Sequence, residues 1–481
     1  MKRLISCVLA LLYVMAGFAS GTWILHGKEY RVDTLYHAYI GPGTTQTSIK
    51  LAGPVNLRVF YTTTDLKNEN VDVRAIKHKD TLTGLGTVSN AAESHSTSNR
   101  SYFAGINADF FSSSMPCGIT VVDGEVYCSD QASGWSLFGI DANKIPYSGG
   151  GDFYVKLTAP DYSTAELSAM NLERGTNGLV LYSSRKGANT GTDSNGSEVV
   201  LIPDGEGNFL TPGATVRMRV QGNPSHAGSM PIPDDGYILS GSGTKESFVS
   251  NLSEGDVVEV RCAIRFNGFT GGKIQQALGG CPMLVSGGKV LDTENALDHL
   301  TSAQPRTAVG YNAEKNKLVM LVADGRSSIS VGPISKVLAD IMIYAGCSEA
   351  MNFDGGGSST FYVKGEGVIN QPSDGSERSV TDGLYLSTDA PQNDVTITTI
   401  RFMDYAKTLN QGDAYTPVIY GYNQYGVLVD RNVEGVTLSC GSSLGTITND
   451  GTTLNASGSG THMLTAGYGN LTTSLSVTGI G

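Results

Sequence analysis

The chain has 481 residues, of which 40% are apolar, so it can form two or three domains with hydrophobic cores and is not disordered as a whole. Its 33 Lys and Arg residues and 45 Asp and Glu residues give a formal charge of -12, which repels a phosphate backbone and excludes general nucleic-acid binding. Charged residues make up only 16% of the chain, while Gly occurs 61 times and Tyr 22 times, a composition typical of short strands and tight turns.

Residues 1–20 are predicted to be a secretory signal peptide, because Lys2 and Arg3 precede an apolar run that ends in small residues. The run is shorter than the roughly 20 residues that cross a bilayer, so we expect no membrane span. The expected location is secreted, periplasmic or at the cell surface. In that setting a disulfide between Cys117 and Cys128 fits the sequence, since they flank a predicted hairpin with an Asp-Gly turn.

Residues 21–390 are predicted to form the main domain. Short alternating runs before Lys79 indicate the opening strands of a sheet, and residues 87–100 indicate a polar helix or loop that leads into the apolar strand FAGIN. Residues 150–265 alternate apolar runs with many turn residues, which predicts a β-rich insertion.

The segment after Pro333 predicts one helix. Apolar residues recur at helical spacing from Ile334 to Ala345, with proline at the first turn and Gly346 as the stop signal. The helix leads into a predicted strand, AMNFD, then the glycine-rich sequence GGGSS, then a second strand, TFYV.

Residues 391–481 differ in composition, being rich in Thr, Ser, Gly and Tyr with short alternating runs. This pattern predicts an all-β sandwich that resembles a bacterial immunoglobulin-like module, a class that serves more often as a spacer or adhesion module than as an active domain. The predicted fold class is therefore α+β: a mixed β-sheet core with few helices, followed by a small all-β sandwich.

The sequence from Asn352 to Thr360, NFDGGGSST, is the strongest candidate for a functional site. Asp354 at the end of a strand, followed by three glycines, places a carboxylate beside a backbone that can aim several N–H groups at one anion. The alternative is a flexible connection, but a linker rarely lies between two apolar strands. In INADFF, Asn107 and Asp109 alternate, so on a strand both side chains would share one face.

Seven segments taken together resemble the phosphodiester glycosidase family. In chain order they are INADFF, GITVVDGEV, GGCPMLVSGGKV, PRTAVG, LVADGR, GPISKVLADIMIYAGCSEAMNFDGGGSSTFYV and VINQPSDGSERSVTDGLYL. The resemblance covers about Phe103 to Ser387, weakly through the insertion, and excludes the C-terminal module. Cys281 and Phe353 depart from the family pattern in ways that alter packing, whereas Asp382 replaces a frequent Asn and bears on substrate choice.

The resemblance implies a glycoside hydrolase that cleaves the bond between a sugar's anomeric carbon and a phosphodiester oxygen, releasing free sugar and a phosphomonoester. Because the departing phosphate is a weak base, one carboxylate that activates water or attacks carbon is expected to suffice. We assign that role to Asp354, with Asp109 as second choice, and the phosphate to Arg306 and Arg378. The predicted substrate-binding residues are Asn107, Arg306, Asp324, Gly355, Gly356, Gly357, Ser358, Glu377 and Arg378.

We expect no cofactor and no metal, because the aspartates follow no regular ligand spacing. The expected partner is a phosphorylated glycan or a sugar-1-phosphodiester. The main alternative is a non-catalytic exported glycan-binding protein, and a further one is a phosphodiesterase that cuts the phosphorus–oxygen bond with bound metal.

Overall fold

The computed structural model describes residues 21–130, 132, 134–205, 209–267, 269–270, 272–293 and 297–481. The predicted signal peptide, residues 1–20, lies outside these residues. The described residues contain four α-helices, α1 (Val88–His95), α2 (Glu246–Ser250), α3 (Asp298–Thr301) and α4 (Ser335–Tyr344), and three 3-10 turns, Ser184–Lys186, Gly243–Lys245 and Gly356–Ser358. None of these helices has the length and apolar character needed to cross a membrane.

Strands dominate the main domain, which confirms the predicted mixed β-sheet core with few helices. The strands are β1 (Gly21–Leu25), β2 (Lys28–Gly41), β3 (Thr44–Ala52), β4 (Asn56–Asp65), β5 (Asp72–Lys77), β6 (Ser101–Asn107), β7 (Phe111–Ser112), β8 (Met115–Pro116), β9 (Thr120–Val122), β10 (Glu125–Cys128), β11 (Ser136–Asp141), β12 (Pro146–Thr158), β13 (Thr164–Glu166), β14 (Ala169–Met170), β15 (Leu179–Tyr182), β16 (Ser197–Pro203), β17 (Thr215–Ser225), β18 (Tyr237–Gly241), β19 (Val257–Phe266), β20 (Phe269–Thr270), β21 (Ile274–Gly280), β22 (Met283–Ser286), β23 (Lys289–Val290), β24 (Arg306–Tyr311), β25 (Lys317–Ala323), β26 (Glu349–Asn352), β27 (Phe361–Val363), β28 (Gly367–Val368) and β29 (Asp382–Thr388).

Three sheets organise this domain. A nine-stranded sheet has the order β1-β2-β3-β4-β25-β24-β26-β22-β23, and a five-stranded sheet has the order β28-β27-β6-β29-β5. A 13-stranded sheet contains β9 to β21 in the order β10-β9-β21-β11-β12-β19-β17-β16-β18-β15-β14, with β13 and β20 attached to its side. The first two sheets pack on each other through one apolar cluster that includes Ile106, Leu384, Val309 and Met351.

The strand register brings four strand ends to one place. Ala308 of β24 pairs with Asn352 of β26, so the start of β24 lies beside the end of β26. Gly383 of β29 pairs with Asn107 of β6, so the start of β29 lies beside the end of β6. The packing of the two sheets therefore gathers these polar strand ends above one apolar core.

Several local predictions are confirmed. Helix α4 begins after the predicted proline signal and ends before Gly346, which has a φ of 100°, and it buries Leu338 and Ile341. Asp123 and Gly124, with φ of 49° and 83°, form the two-residue turn between β9 and β10. The disulfide across this hairpin is contradicted, because Cys117 and Cys128 are both free cysteines.

Residues 150–265 are β-rich, as predicted, and they continue the main domain rather than standing apart from it. β12 pairs with β11 through residues 146–150 and with β19 through residues 151–158. One long strand therefore joins the insertion to the sheet that carries β21 and β9.

The C-terminal residues form an all-β unit with its own apolar cluster, which includes Leu409, Leu454 and Leu464. Its strands are β30 (Thr399–Phe402), β31 (Lys407–Asn410), β32 (Ala414–Tyr415), β33 (Ile419–Tyr422), β34 (Leu428–Asp430), β35 (Thr437–Cys440), β36 (Gly445–Ile447), β37 (Leu454–Ala456), β38 (Gly460–Tyr468) and β39 (Leu471–Ile480). They form sheets of three, four and three strands. The immunoglobulin-like class of this unit and the domain boundaries stay predictions.

The C-terminal unit packs against β2 through tyrosines. Tyr420 and Tyr422 of β33 are buried in a cluster with Ala38. The Tyr422 hydroxyl donates to the Tyr39 carbonyl oxygen at 2.8 Å, and Arg431 donates to the Glu366 carboxylate at 2.6 Å. The unit is therefore fixed to the main domain by apolar, hydrogen-bonded and charged contacts.

Candidate active site

The site begins where β6 ends beside the glycine turn, defined here as residues 354–358. The Asp354 backbone N–H donates to the Ala108 carbonyl oxygen at 2.8 Å, and the Asn107 side-chain amide donates to the Asp354 carbonyl oxygen at 2.7 Å. The Asn107 side-chain oxygen accepts from the Thr307 hydroxyl at 2.8 Å and from the Thr360 N–H at 3.1 Å. Asn107, predicted to contact substrate, is thus a buried clamp that joins three segments.

Asp354, the predicted catalytic carboxylate, is half-buried at the entrance of the turn. Burial raises its pKa to about 6, against the opposing effects of a hydrogen bond with Ser358, the charge of Arg378 and the Gly355 N–H. A carboxylate with this pKa is ionised at neutral pH yet basic enough to accept a proton from water.

Asp109 lies next to Asp382, and the charge of Asp354 acts on both. β6 ends at Asn107, so Asp109 is beyond the strand rather than on the predicted shared face. Its N–H donates to Asp382 Oδ1 at 2.9 Å, and its own Oδ2 accepts from the Gly118 N–H at 2.7 Å. Burial and the neighbouring Asp382 raise the pKa of Asp109 well above its usual range.

The Asp109–Asp382 pair is short of hydrogen-bond donors. Asp109 Oδ1 and Asp382 Oδ2 are buried and have no hydrogen-bond partner within the part of the chain that the structure describes. Burial raises the pKa of Asp382, while the charge of the buried Lys77 opposes that rise. The sequence marked Asp382 as a departure from the family pattern but did not predict that it adjoins Asp109.

The glycine turn presents less open backbone than predicted. The Gly356 N–H donates to the Pro305 carbonyl oxygen at 2.9 Å, and the Ser358 N–H donates to the Gly355 carbonyl oxygen at 3.2 Å. The glycines instead make room for cations. A Cβ on Gly356 would lie 2.9 Å from Arg326 Nη2, and a Cβ on Gly357 would overlap Arg378 Nη2.

The three arginines near the turn have different roles. Arg378 lies over Gly357 and donates to the Ser358 hydroxyl at 3.4 Å. Arg326 is exposed, lies over Gly356, and donates to the Gln304 side-chain oxygen at 2.8 Å. Arg306 is only 2% exposed, and its Nη1 and Nη2 donate to the carbonyl oxygens of His299 and Ser302. Its Cδ lies 3.8 Å from the position of a Cβ on Gly355, and its buried Nε has no hydrogen-bond partner among the described residues.

Sequence reasoning assigned the anion to Arg306 and Arg378, which stays a prediction, and gave no role to Arg326. Arg306 begins β24 and Arg326 follows β25, and both lie within quoted family segments, so the signal for Arg326 was its place in LVADGR. Burial and the charge of Arg326 lower the pKa of Arg306 to about 10. Two guanidinium nitrogens of Arg306 are thus bonded to carbonyl oxygens, whereas Arg326 and Arg378 lie against the glycine turn.

Asp324 and Glu377 anchor the loop between β28 and β29 rather than face the turn. The Asp324 carboxylate accepts from the Asn370 side-chain amide at 3.1 Å and from the Gln371 N–H at 3.0 Å. The Glu377 carboxylate accepts from the Ser89 hydroxyl and from the Ser89 N–H at 3.2 Å, at the first turn of α1. These two contacts fix both ends of residues 371–377.

Among the described residues, no group of three or more His, Cys, Asp or Glu side chains is arranged to hold a metal ion. The site's polar atoms are carboxylates, guanidiniums and a hydroxyl. They can bind an anion, polarise a bond beside it and accept a proton.

Residues 213–387 match the family model described as phosphodiester glycosidase. The resemblance predicted from the seven segments is confirmed over this range, which includes the glycine turn, Arg326 and Arg378. Asn107 and Asp109 precede the matched range, and the match begins inside the segment predicted as an insertion.

Other comparisons extend the likeness. An 88-residue stretch is 40% identical to the SPbeta prophage-derived uncharacterized protein YomE of Bacillus subtilis (strain 168), covering 18% of this chain and 13% of that protein. A putative exported protein from Burkholderia pseudomallei has a TM-score of 0.56 at 17% identity, covering 76% of this chain and 98% of that chain. A hypothetical protein from Synechocystis has a TM-score of 0.55 at 15% identity, covering 72% of this chain and 62% of that chain. At these identities, the two solved structures show a shared fold.

A more distant solved structure is the catalytic domain of zebrafish N-acetylglucosamine-1-phosphodiester alpha-N-acetylglucosaminidase, auto-inhibited by its pro-peptide. Its TM-score is 0.39 at 13% identity, covering 74% of this chain and 87% of that chain.

Proposed function

We propose that this protein is an exported hydrolase that cleaves the sugar–phosphate glycosidic bond of a sugar-1-phosphodiester. The observation that carries the proposal is Asp354, a basic carboxylate beside two guanidiniums on the glycine turn. The family match over residues 213–387 supports the reaction class. The predicted signal peptide supports export, as does the likeness to a putative exported protein.

In this proposal Arg326 and Arg378 hold the phosphodiester anion. Their guanidiniums present several N–H donors in a fixed plane, which suits phosphate oxygens. The bond between the anomeric carbon and the phosphate oxygen breaks, and both bonding electrons leave with the phosphate. The leaving group is already anionic and weakly basic, so the two cations stabilise it without a strong general acid.

Asp354 supplies the basic group. As a general base it takes a proton from water while the water oxygen bonds to the anomeric carbon, and the sugar leaves with a new hydroxyl. As a nucleophile it forms a glycosyl ester that water later hydrolyses. Asp109 and Asp382 are buried near it, and burial raises the pKa of each, which favours protonation and so lowers the negative charge next to the anion.

The test is product identification with UDP-N-acetylglucosamine and with a methyl diester of a sugar 1-phosphate. We expect free sugar together with UDP from the first substrate and methyl phosphate from the second, with oxygen from ¹⁸O-labelled water in the sugar. Label in the phosphate would show cleavage of the phosphorus–oxygen bond, and binding without any product would favour the non-catalytic glycan-binding alternative.

Asp354→Asn keeps the volume and removes the base, so we expect turnover to fall by about 10²–10⁴-fold while the melting temperature is retained. Asp389→Asn is the matched control, because Asp389 is a surface carboxylate paired with Arg100. Full activity of Asp354→Asn would refute the assignment of Asp354.

A further inference from the structure

The loop between β28 and β29 carries a carboxylate on the anion-binding face of the glycine turn. Asp374 Oδ2 accepts from Arg378 Nε at 2.9 Å and lies 2.7 Å from Arg378 Nη2. A Cβ on Gly357 would overlap both carboxylate oxygens of Asp374. The Asp374 carboxylate therefore lies directly on the turn, on the edge of Arg378 that offers two parallel N–H donors.

The same loop touches the second arginine. Arg326 Nη1 donates to the Ser373 hydroxyl at 3.4 Å. The loop turns back at Gly375, whose N–H donates to the Pro372 carbonyl oxygen at 3.0 Å and whose φ is 87°. Ser373 and Asp374, consecutive residues of one tight turn, thus contact the guanidiniums of Arg326 and Arg378.

We propose that Asp374 is an internal anion that holds the phosphate position on Arg378 until a phosphate group displaces it, and that it sets how tightly the site binds phosphate. The proposal rests on the proposed function for the identity of the substrate. The overlap between the Asp374 carboxylate and a bound phosphate does not depend on that identity, because both groups use the same paired N–H donors of arginine.

The exchange requires a side-chain movement and leaves the loop ends in place. Asp324 and Glu377 hold residues 371 and 377, as described above, whereas the Asp374 side chain is 38% exposed and that of Arg378 is 42% exposed. A pair this exposed is worth little in free energy, so an incoming anion can replace it. Rotation of Asp374 toward solvent frees Nε and Nη2 of Arg378 for two phosphate oxygens.

Competition between Asp374 and phosphate for Arg378 affects the release of product. The product phosphomonoester carries about two negative charges near neutral pH, one more than a phosphodiester, so two arginines hold it more strongly than the substrate. Return of the Asp374 carboxylate to Arg378 favours release of that product. Asp374 is thus a residue that determines specificity and affinity for phosphate.

The experiment is calorimetric titration of inorganic phosphate into the full chain, its Asp374→Asn variant and the control Asp389→Asn. The substitution Asp374→Asn keeps the size of the side chain and removes its charge, so we expect phosphate to bind this variant about fivefold more tightly than the unaltered chain. Asp389→Asn removes the same charge from a pair of similar exposure, and we expect no change in phosphate affinity.

Equal or weaker phosphate binding by Asp374→Asn would overturn the proposal, because Asp374 would then position Arg378 rather than compete for it. Absence of phosphate binding in all three proteins would overturn it as well. The measurement needs no turnover, so tighter binding by Asp374→Asn in a protein that hydrolyses no sugar-1-phosphodiester would refute only the proposed function. In an active enzyme, we expect a lower KM for phosphodiesters and stronger inhibition by phosphate, with the KM for a neutral aryl glycoside unchanged.

Discussion

The candidate active site holds buried carboxylates that its immediate neighbours do not fully satisfy. Asp109 and Asp382 each leave one buried oxygen without a hydrogen-bond partner among the described residues, and the charge of Asp354 acts on both. Burial of like charges of this kind costs folding free energy, and such costs concentrate at functional sites. The arrangement therefore predicts that removing one of these ionisable groups increases the free energy of unfolding at neutral pH.

We expect Asp109→Asn to stabilise the protein at pH 7.5 by about 1–2 kcal/mol and to have little effect near pH 4. The folded protein binds a proton on Asp109 more tightly than the unfolded chain, whose carboxyl has the ordinary pKa of 3.8. The cost of the ionisable group is therefore absent below about pH 4 and grows as the pH rises toward the folded pKa.

Denaturant unfolding at the two pH values measures this difference. Asn retains an oxygen that can accept from the Gly118 N–H, so only the charge is removed. A stabilisation of equal size at both pH values would contradict the prediction and indicate a packing effect. Asp389→Asn, at the surface, is expected to change stability by less than about 0.5 kcal/mol at either pH.

The sequence predicted which carboxylate leads the glycine turn, but it could not rank the arginines. Arg306 begins one strand of the nine-stranded sheet and Arg326 follows the next, and sequence position says nothing about the direction of a long side chain. The structure directs Arg306 to carbonyl oxygens in and after α3, whereas Arg326, with a φ of 60°, lies on Gly356. Both directions depend on tertiary contacts that spacing along the chain does not encode.

Two glycines of the glycine turn, Gly355 and Gly357, lack a side chain for different structural reasons. At Gly357, a Cβ would meet the flexible ends of Arg378 and Asp374, which can move aside. At Gly355, a Cβ would lie 2.7 Å from the Pro305 carbonyl oxygen, which is backbone and cannot move without disturbing β24. Gly357 thus leaves room for the Arg378 guanidinium, and Gly355 allows the turn to pack closely against the Pro305 backbone.

We expect Gly357→Ala to lower phosphate affinity by at least about fivefold while leaving the free energy of unfolding nearly unchanged. Gly355→Ala is the matched comparison, and it should lose about 1–3 kcal/mol of stability through overpacking. Calorimetric titration and denaturant unfolding of both variants check this contrast. Loss of stability in Gly357→Ala, with phosphate affinity intact, would contradict the role assigned to that glycine.

Elements with local signals were predicted well, whereas the common strand face expected for Asn107 and Asp109 was not found. The proline and glycine signals gave helix α4, and the Asp-Gly turn gave the β9–β10 hairpin. β6 ends at Asn107, as the predicted strand FAGIN does, and it does not continue to Asp109, since the Ala108 carbonyl oxygen accepts from the Asp354 N–H. That hydrogen bond spans the distance between two sheets, so no local pattern reveals it.

For the whole molecule, the C-terminal unit is attached more firmly than a spacer module requires. Tyr420 is only 4% exposed, and it packs with Ala38 of the main domain. Burial of aromatic area at such a contact couples the unfolding of the two parts. Composition indicated a separate all-β unit, but it carried no information about where that unit docks.

We expect the full chain to unfold in one calorimetric transition and Tyr420→Ala to split it into two. Loss of the buried ring removes about 3 kcal/mol of packing, including the contacts with Ala38 and Tyr36 of the main domain. Tyr162→Ala is the control, since Tyr162 is 87% exposed, and it should leave the transition unchanged. A single transition that only shifts in temperature would contradict a coupling that depends on this ring.

The long strand β12 limits how this protein can be shortened or recombined. Its first residues pair with β11 and its later ones with β19. The strands of residues 150–265 therefore belong to the same sheet as β21. Genetic excision of that stretch would remove β19 and most of β12 and leave unpaired backbone groups at a new sheet edge, which promote aggregation. A chimera with a relative would have to exchange the whole segment and keep the strand register with β11 and β21.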